Sequence, residues 1–220
     1  MNLVLDDTVR VPLDVLKSLS AFRRWTKSGD YPERGEYAYL DGELWVDVSM
    51  ETLLHNLIKT QIDAVLTMLV QTQQLGRFIG DRMRLVHEGA GLSVEPDGTF
   101  VSHDAIRLGQ VCFEQGTQSL EVVGTPDMVL EVVSSHSIQK DTVALRDLYA
   151  AAGIAEYWLM NPLGREPTLE ILRLSGKAFV SQRKSDGWMK STVFGNSFRL
   201  DVVPPKPNTN DLPDYRLLLK

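Results

Sequence analysis

The chain has 220 residues, 43% hydrophobic and 24% charged, proportions that suit one ordinary domain and exclude a disordered protein, a collagen-like repeat and a coiled coil. Lys plus Arg is 23 and Asp plus Glu is 29, so the net charge of −6 argues against coating of nucleic acid by bulk charge, though not against a local basic groove. The single Cys112 excludes an internal disulfide framework and a multi-cysteine zinc site, and is expected as a small buried or half-buried hydrophobe.

The first residues, MNLVLDD, lack a basic segment followed by an apolar core, so a cytoplasmic protein is expected. Val15, Leu16, Leu19 and Phe22 recur at helical spacing, predicting a helix from about residue 11 to Lys27, stopped by Gly29. Residues 36–48 read as a hairpin around Asp41-Gly42, a favoured two-residue turn. The longest helix is expected over 51–73, where Leu54, Leu57, Ile58, Ile62, Val65, Leu66 and Leu69 form a broad apolar face. Lys59, Gln61 and Asp63 interrupt that stretch, which falls short of the ~20 apolar residues needed to span a bilayer.

Residues 77–87 and 92–101 read as strands, as do 119–123 and 128–133. The run Met128-Val-Leu-Glu-Val-Val is apolar on both sides except at Glu131, the pattern of a strand covered on both faces. A helix is predicted over 137–152, with Leu145, Leu148, Tyr149 and Ala152 on one face, and a buried strand over 156–160. Residues 168–174, 178–183 and 188–194 alternate in polarity around turn glycines and predict a β-meander. The last stretch, 204–220, opens with Pro and Asn and is expected to be an irregular tail. The fold class is mixed α/β: helices flanking a mixed sheet, with an N-terminal hairpin and a C-terminal meander, in one domain over 1–203.

Glu131 is the residue to explain, either as a metal ligand or catalytic carboxylate or as a strand-end glutamate bonded to an arginine or to backbone amides. A carboxylate inside a buried strand is costly unless something pairs with it. Two acidic residues open nearby strands: Asp97, in Glu95-Pro96-Asp97, and Asp127, after Pro126. Along one strand four residues span ~13 Å, so Asp127 and Glu131 cannot hold one ion together. If the strand opened by Asp97 pairs antiparallel with that of Glu131, Asp97 falls beside Glu131 and Asp127 lies at the opposite end. Two such carboxylates suit Mg²⁺ or Mn²⁺, which serve phosphodiester hydrolysis by activating water. That chemistry also wants a cation. Val133, two residues after Glu131, cannot supply it, which leaves Lys140 and Arg146 on the following helix.

EPDGTFVS, GTPDMVLEVVSSHS and KDTVALRDLYAAAGIAEYWLMNP, with the DGELWVDVS hairpin and His55 after it, resemble the bacterial restriction endonucleases of the Uma type, within the PD-(D/E)XK nuclease superfamily. The resemblance runs from about residue 35 to 202 and is most specific over 126–162. It implies a restriction-endonuclease-like core over about 35–162, a divalent metal, DNA as substrate and a homodimer. It matches Asp97 to the PD aspartate, Glu131 to the acidic residue of (D/E)XK, and Asp127 to the family's second Pro-Asp pair. The superfamily lysine would fall at Val133. In many members of this family it sits on the next helix instead, where this chain has Leu145, leaving Lys140 to reach back from the first turn.

The resemblance also lets His55, with Glu51 one turn before it, line the metal site, although a half-buried histidine paired with Glu51 accounts for the residue equally well. Glu43, after a turn glycine, is a further site-lining candidate or a solvated strand residue. Arg82 and Arg84 would alternate onto one face of a strand and meet solvent, acidic partners or a phosphate backbone. The expected activity is metal-dependent endonucleolytic cleavage. The alternative is a catalytically silent nuclease fold acting as a dimeric nucleic-acid-binding or interaction module, as Leu145 and the acidic net charge would favour.

Overall fold

The computed structural model describes residues 11–182, 184–207 and 211–220. The first sheet runs in the order β2 (Glu43–Asp47), β1 (Glu36–Leu40), β5 (Leu92–Val94), β4 (Arg84–His87), β8 (Glu121–Gly124) and β7 (Val111–Cys112). The second runs β12 (Ala178–Ser181), β11 (Thr168–Ser175), β10 (Glu156–Asn161), β9 (Met128–Val132), β6 (Gly98–Ser102) and β3 (Gly76–Gly80). A third pairs β13 (Met189–Lys190), β14 (Ser197–Val203) and β15 (Asp214–Leu219). Four α-helices join them: α1 (Leu19–Thr26), α2 (Leu53–Thr72), α3 (His103–Arg107) and α4 (Leu145–Ala151).

The second sheet is the middle layer. Val129, Val133, Tyr157 and Leu159 pack with Leu145 and Tyr149 of α4 and with Leu85, Leu92 and Val122 of the first sheet. The alternate residues Met128, Leu130, Trp158 and Met160 pack with Ile58, Ile62 and Leu66 of α2 and with Phe198, Tyr215 and Leu217 of the third sheet. This two-sided burial is why β9 is apolar on both faces. Parallel pairing of β9 with β10 and antiparallel pairing with β6 make the sheet mixed.

Several elements divide where a continuous one is expected. Residues 77–87 form two strands in different sheets, split by a turn in which Arg82 takes a φ of 65°. Arg82 and Arg84 therefore do not share a strand face. Arg84 is buried, donating to the Tyr37 carbonyl at 3.1 Å and the Tyr31 hydroxyl at 2.8 Å and pairing with Glu95. Residues 92–101 likewise divide, because Pro96 has no N–H to give a ladder. At the start of the chain, extended Ser18 (φ −168°) breaks the expected helix into a 3₁₀ turn and α1, accepting the Ala21 N–H at its side chain.

The meander also departs from expectation. Its first two strands complete the middle sheet, while Met189–Lys190 belongs to the third sheet. Residues 204–220 are not an irregular tail throughout, since Asp214–Leu219 pairs along β14. Arg183 and residues 1–10 lie outside the described residues. Cys112, expected as buried or half-buried, is exposed on the edge strand β7.

Glu156 ties the third sheet to the middle one. Fully buried, it accepts from Ser191 Oγ at 2.6 Å, Thr192 Oγ1 at 2.8 Å, the Val193 N–H at 3.2 Å and Trp158 Nε1 at 3.1 Å. Replacing it strands several buried donors, so Glu156→Ala is expected to lower unfolding free energy by roughly 3 kcal/mol in urea titration, with Glu156→Gln recovering part of the loss.

Candidate active site

Strands β6 and β9 run antiparallel with Gly98 opposite Leu130, so the next pair outward is Asp97 and Glu131. Asp97 sits just beyond β6, where Pro96 ends the ladder. Its Oδ2 accepts the Val132 N–H at 2.7 Å and its Oδ1 faces His55 Nε2 at 3.4 Å. Glu131 stays inside β9, 2% exposed, and accepts the Tyr149 hydroxyl at 2.6 Å. Both open onto one cleft of about 460 Å³, whose walls include Glu51, His55, Asp81, Lys140 and Asp141.

Lys140 and Asp141 reach the cleft from a π turn, Lys140–Ala144, that leads into α4. There the Leu145 N–H bonds back to the Lys140 carbonyl, five residues earlier. The extra residue rotates everything before it relative to a continuous α-helix. Leu145 keeps its place in the core, fully buried, while Lys140 turns to the cleft instead of solvent, its side chain 13% exposed. The Lys140 ammonium lies 3.6 Å from Asp141 and 3.9 Å from Glu36. Thr52 starts α2 by accepting the His55 N–H at 3.2 Å, which puts His55 and, one turn on, Lys59 against Asp97.

The two central carboxyls titrate in opposite directions. Burial pushes Glu131 well above the usual range, the nearby charges of Asp141 and Asp97 add to it, and Lys140 and the Tyr149 hydroxyl only partly offset this. Burial alone would raise Asp97 too, but the hydrogen bond and charge of His55, the Val132 amide and Lys59 hold it below its ordinary value. Burial would lower His55, yet its bond to Asp97 and the charges of Asp97 and Glu51 keep it raised. Lys140 is likewise raised: burial works against its charge, and Glu131, Asp141 and Glu36 outweigh it.

Asp97, Glu131, Lys140 and His55 thus all line one cleft. Asp127 does not join them. It sits at the far end of β9, accepting the Ser102 N–H at 2.6 Å and Ser102 Oγ at 3.0 Å, and latches the end of β6. Glu43 is exposed at the hairpin end of β2, paired with Leu40 away from the cleft. Sequence reading did not single out Lys59, Asp81, Asp141 or the hydroxyl of Tyr149 as members of the site. For Lys59 a signal existed: with His55 it places two polar residues, four apart, on an otherwise apolar helix face.

A divalent ion fits the donors present. Among the described residues, Glu51, His55 and Asp97 offer ligand atoms that all lie within 4.8 Å of one another. Carboxylate oxygens with one imidazole can hold a divalent cation. The site also holds buried polar atoms that make no hydrogen bond, His55 Nδ1 and Asp141 Oδ1, the latter facing the Lys140 ammonium at 3.6 Å.

Burial raises Asp141 and Asp63 to about 6, and lifts Glu131 as well. A carboxyl raised in the folded state binds more protons folded than unfolded, so stability falls as pH rises from ~4 toward 7. Thermal unfolding without metal should show that decline. Glu131→Gln, which keeps the acceptor for Tyr149 and removes the charge, should melt a few degrees above the parent at pH 8.

Among the described residues no helix is long and apolar enough to cross a membrane. No curated protein matches the chain. Among solved structures, it resembles the crystal structure of a "putative nuclease belonging to DUF820" from Anabaena variabilis, with a TM-score of 0.60 and 17% identity, covering 81% of this chain and 90% of that one. At that identity the likeness establishes a shared fold. The family described as "Uma2: Putative restriction endonuclease" matches residues 19–202, spanning the cleft and all its walls, and the chain belongs to that family.

Proposed function

We propose that this protein is a metal-dependent endonuclease that hydrolyses DNA phosphodiester bonds at the cleft between Asp97 and Glu131. The observation that carries this reading is the convergence of two buried carboxyls, Asp97 and Glu131, with half-buried Lys140 on one open cleft. DNA as substrate follows from the family's description, and Mg²⁺ or Mn²⁺ from the donor set.

Asp97 and Glu131 would hold the ion, with His55 and Glu51 on the Asp97 side. The ion supplies an activated water and charge neutralisation at the phosphate. Asp97 is already ionised and oriented by the Val132 amide. Burial favours the protonated form of Glu131, and the Tyr149 hydroxyl fixes one of its oxygens. Lys140, held charged by the surrounding carboxyls, would stabilise negative charge as it develops on the phosphate. Because the walls are acidic, DNA should bind weakly until a divalent ion is present.

The test is nicking of supercoiled plasmid in Mg²⁺ and in Mn²⁺. Asp97→Asn, Glu131→Gln and Lys140→Met should each cut the rate on the order of 100-fold or more while circular dichroism shows a folded chain. Undiminished cleavage in Glu131→Gln would remove the site. A second reading, a binding module on a nuclease scaffold, is favoured by Val133 and fully buried Leu145 standing where the family's lysine would fall. Absence of both cleavage and Mn²⁺ binding in the folded parent would select it.

A further inference from the structure

Lys59 is a cation inside the cluster that would hold the metal. It is 5% exposed, and a lysine so buried persists only when paired. Its ammonium lies 2.5 Å from Glu51 Oε1, 3.0 Å from Asp81 Oδ2 and 3.6 Å from Asp97 Oδ1. The three carboxylates come from separate places: ahead of α2, after β3 and ahead of β6. Two of the oxygens, Glu51 Oε1 and Asp97 Oδ1, are also those nearest His55 Nε2, at 3.9 and 3.4 Å. They belong to the donor group of Glu51, His55 and Asp97. The ammonium therefore already draws on the oxygens that a divalent ion would need.

An ammonium and a divalent ion cannot both sit on the same pair of oxygens without strong repulsion. Asp81 lies outside the donor group, and the four-carbon stem of lysine lets the ammonium swing toward it. We propose that Lys59 is a built-in counter-ion of the metal seat. It gathers the Glu51, Asp81 and Asp97 carboxylates when no divalent ion is bound, and it withdraws toward Asp81 when one enters. Lys59 thereby sets the affinity of the site for metal. This rests on the proposed function only in placing a divalent ion on the Asp97 side, and it does not require cleavage.

Mn²⁺ titration by calorimetry on the full chain, without DNA, tests it, together with thermal unfolding in EDTA and in excess Mn²⁺. Lys59→Gln should bind Mn²⁺ roughly tenfold more tightly than the parent. It should also melt lower in EDTA, where the three carboxylates are left unbalanced, and gain more from Mn²⁺. Lys59→Arg, which keeps the charge, should bind no more tightly than the parent. Asp81→Asn, which removes the place of withdrawal, should bind less tightly. If Lys59→Gln unfolds in EDTA, refolding on addition of Mn²⁺, read by circular dichroism, supports the proposal, and failure to refold overturns it. Equal or weaker Mn²⁺ binding by Lys59→Gln overturns it, as does Lys59→Arg matching Lys59→Gln or no Mn²⁺ binding by either parent or variant. Tighter Mn²⁺ binding by Lys59→Gln in a chain that nicks no plasmid would refute the nuclease reading and leave this one standing.

Discussion

The hydrogen bond from the Val132 amide to Asp97, 2.7 Å long, joins the end of one central strand to the residue just outside its neighbour. It gives the Val132 N–H an acceptor beyond the last ladder pair of β6 and β9. With it the register of β6 against β9 continues one step past the sheet, and that step places Asp97 across from Glu131. The surrounding parts then have a fixed point to meet: α2 brings His55 and Lys59 to one side of Asp97, and the helix after β9 brings Lys140, Asp141 and Tyr149 toward Glu131. A slip of one residue would turn every side chain of β9 to the other face, exchanging the residues packed on α2 for those packed on α4.

The site is a problem in charge balance. Glu51, Asp81, Asp97, Glu131, Asp141 and Glu36 surround two ammonium groups, Lys59 and Lys140. With fewer positive than negative charges, burial favours protons on the enclosed carboxyls, most of all on Glu131. The same arrangement makes the site costly to the fold, since burying carboxyls that would rather be protonated opposes stability at neutral pH. Sites built for reaction commonly carry such a cost.

Much of this was legible in the sequence, and for identifiable reasons. A strand apolar on both faces can only be a middle layer, so Met128–Val132 was readable, and a carboxylate within it stood out. Strand geometry, once antiparallel pairing was assumed, put Asp97 rather than Asp127 across from Glu131, and β6 and β9 do pair antiparallel. What was not legible depended on contacts between elements distant in the chain. Arg84 reads as a surface residue until Glu95 and Tyr31 close over it. The π turn at Lys140–Ala144 leaves no mark in the apolar spacing after Leu145. Asp81 lies in a turn that sequence reading passed through as strand. The pairing of β15 with β14 depends on strands whose composition resembles that of many surface segments.

That last strand has a consequence beyond its own sheet. Tyr215 and Leu217 pack in the same cluster as Ile58, Ile62 and Leu66, on the helix whose first turns carry His55 and Lys59. The carboxyl-terminal strand is thus the backing of the helix that forms one wall of the cleft, although it contributes no side chain to that wall. A truncation or bulky fusion near residue 214 would reach the cleft mechanically, by letting that wall shift, and the chemistry would be disturbed by a change made far from any reacting group.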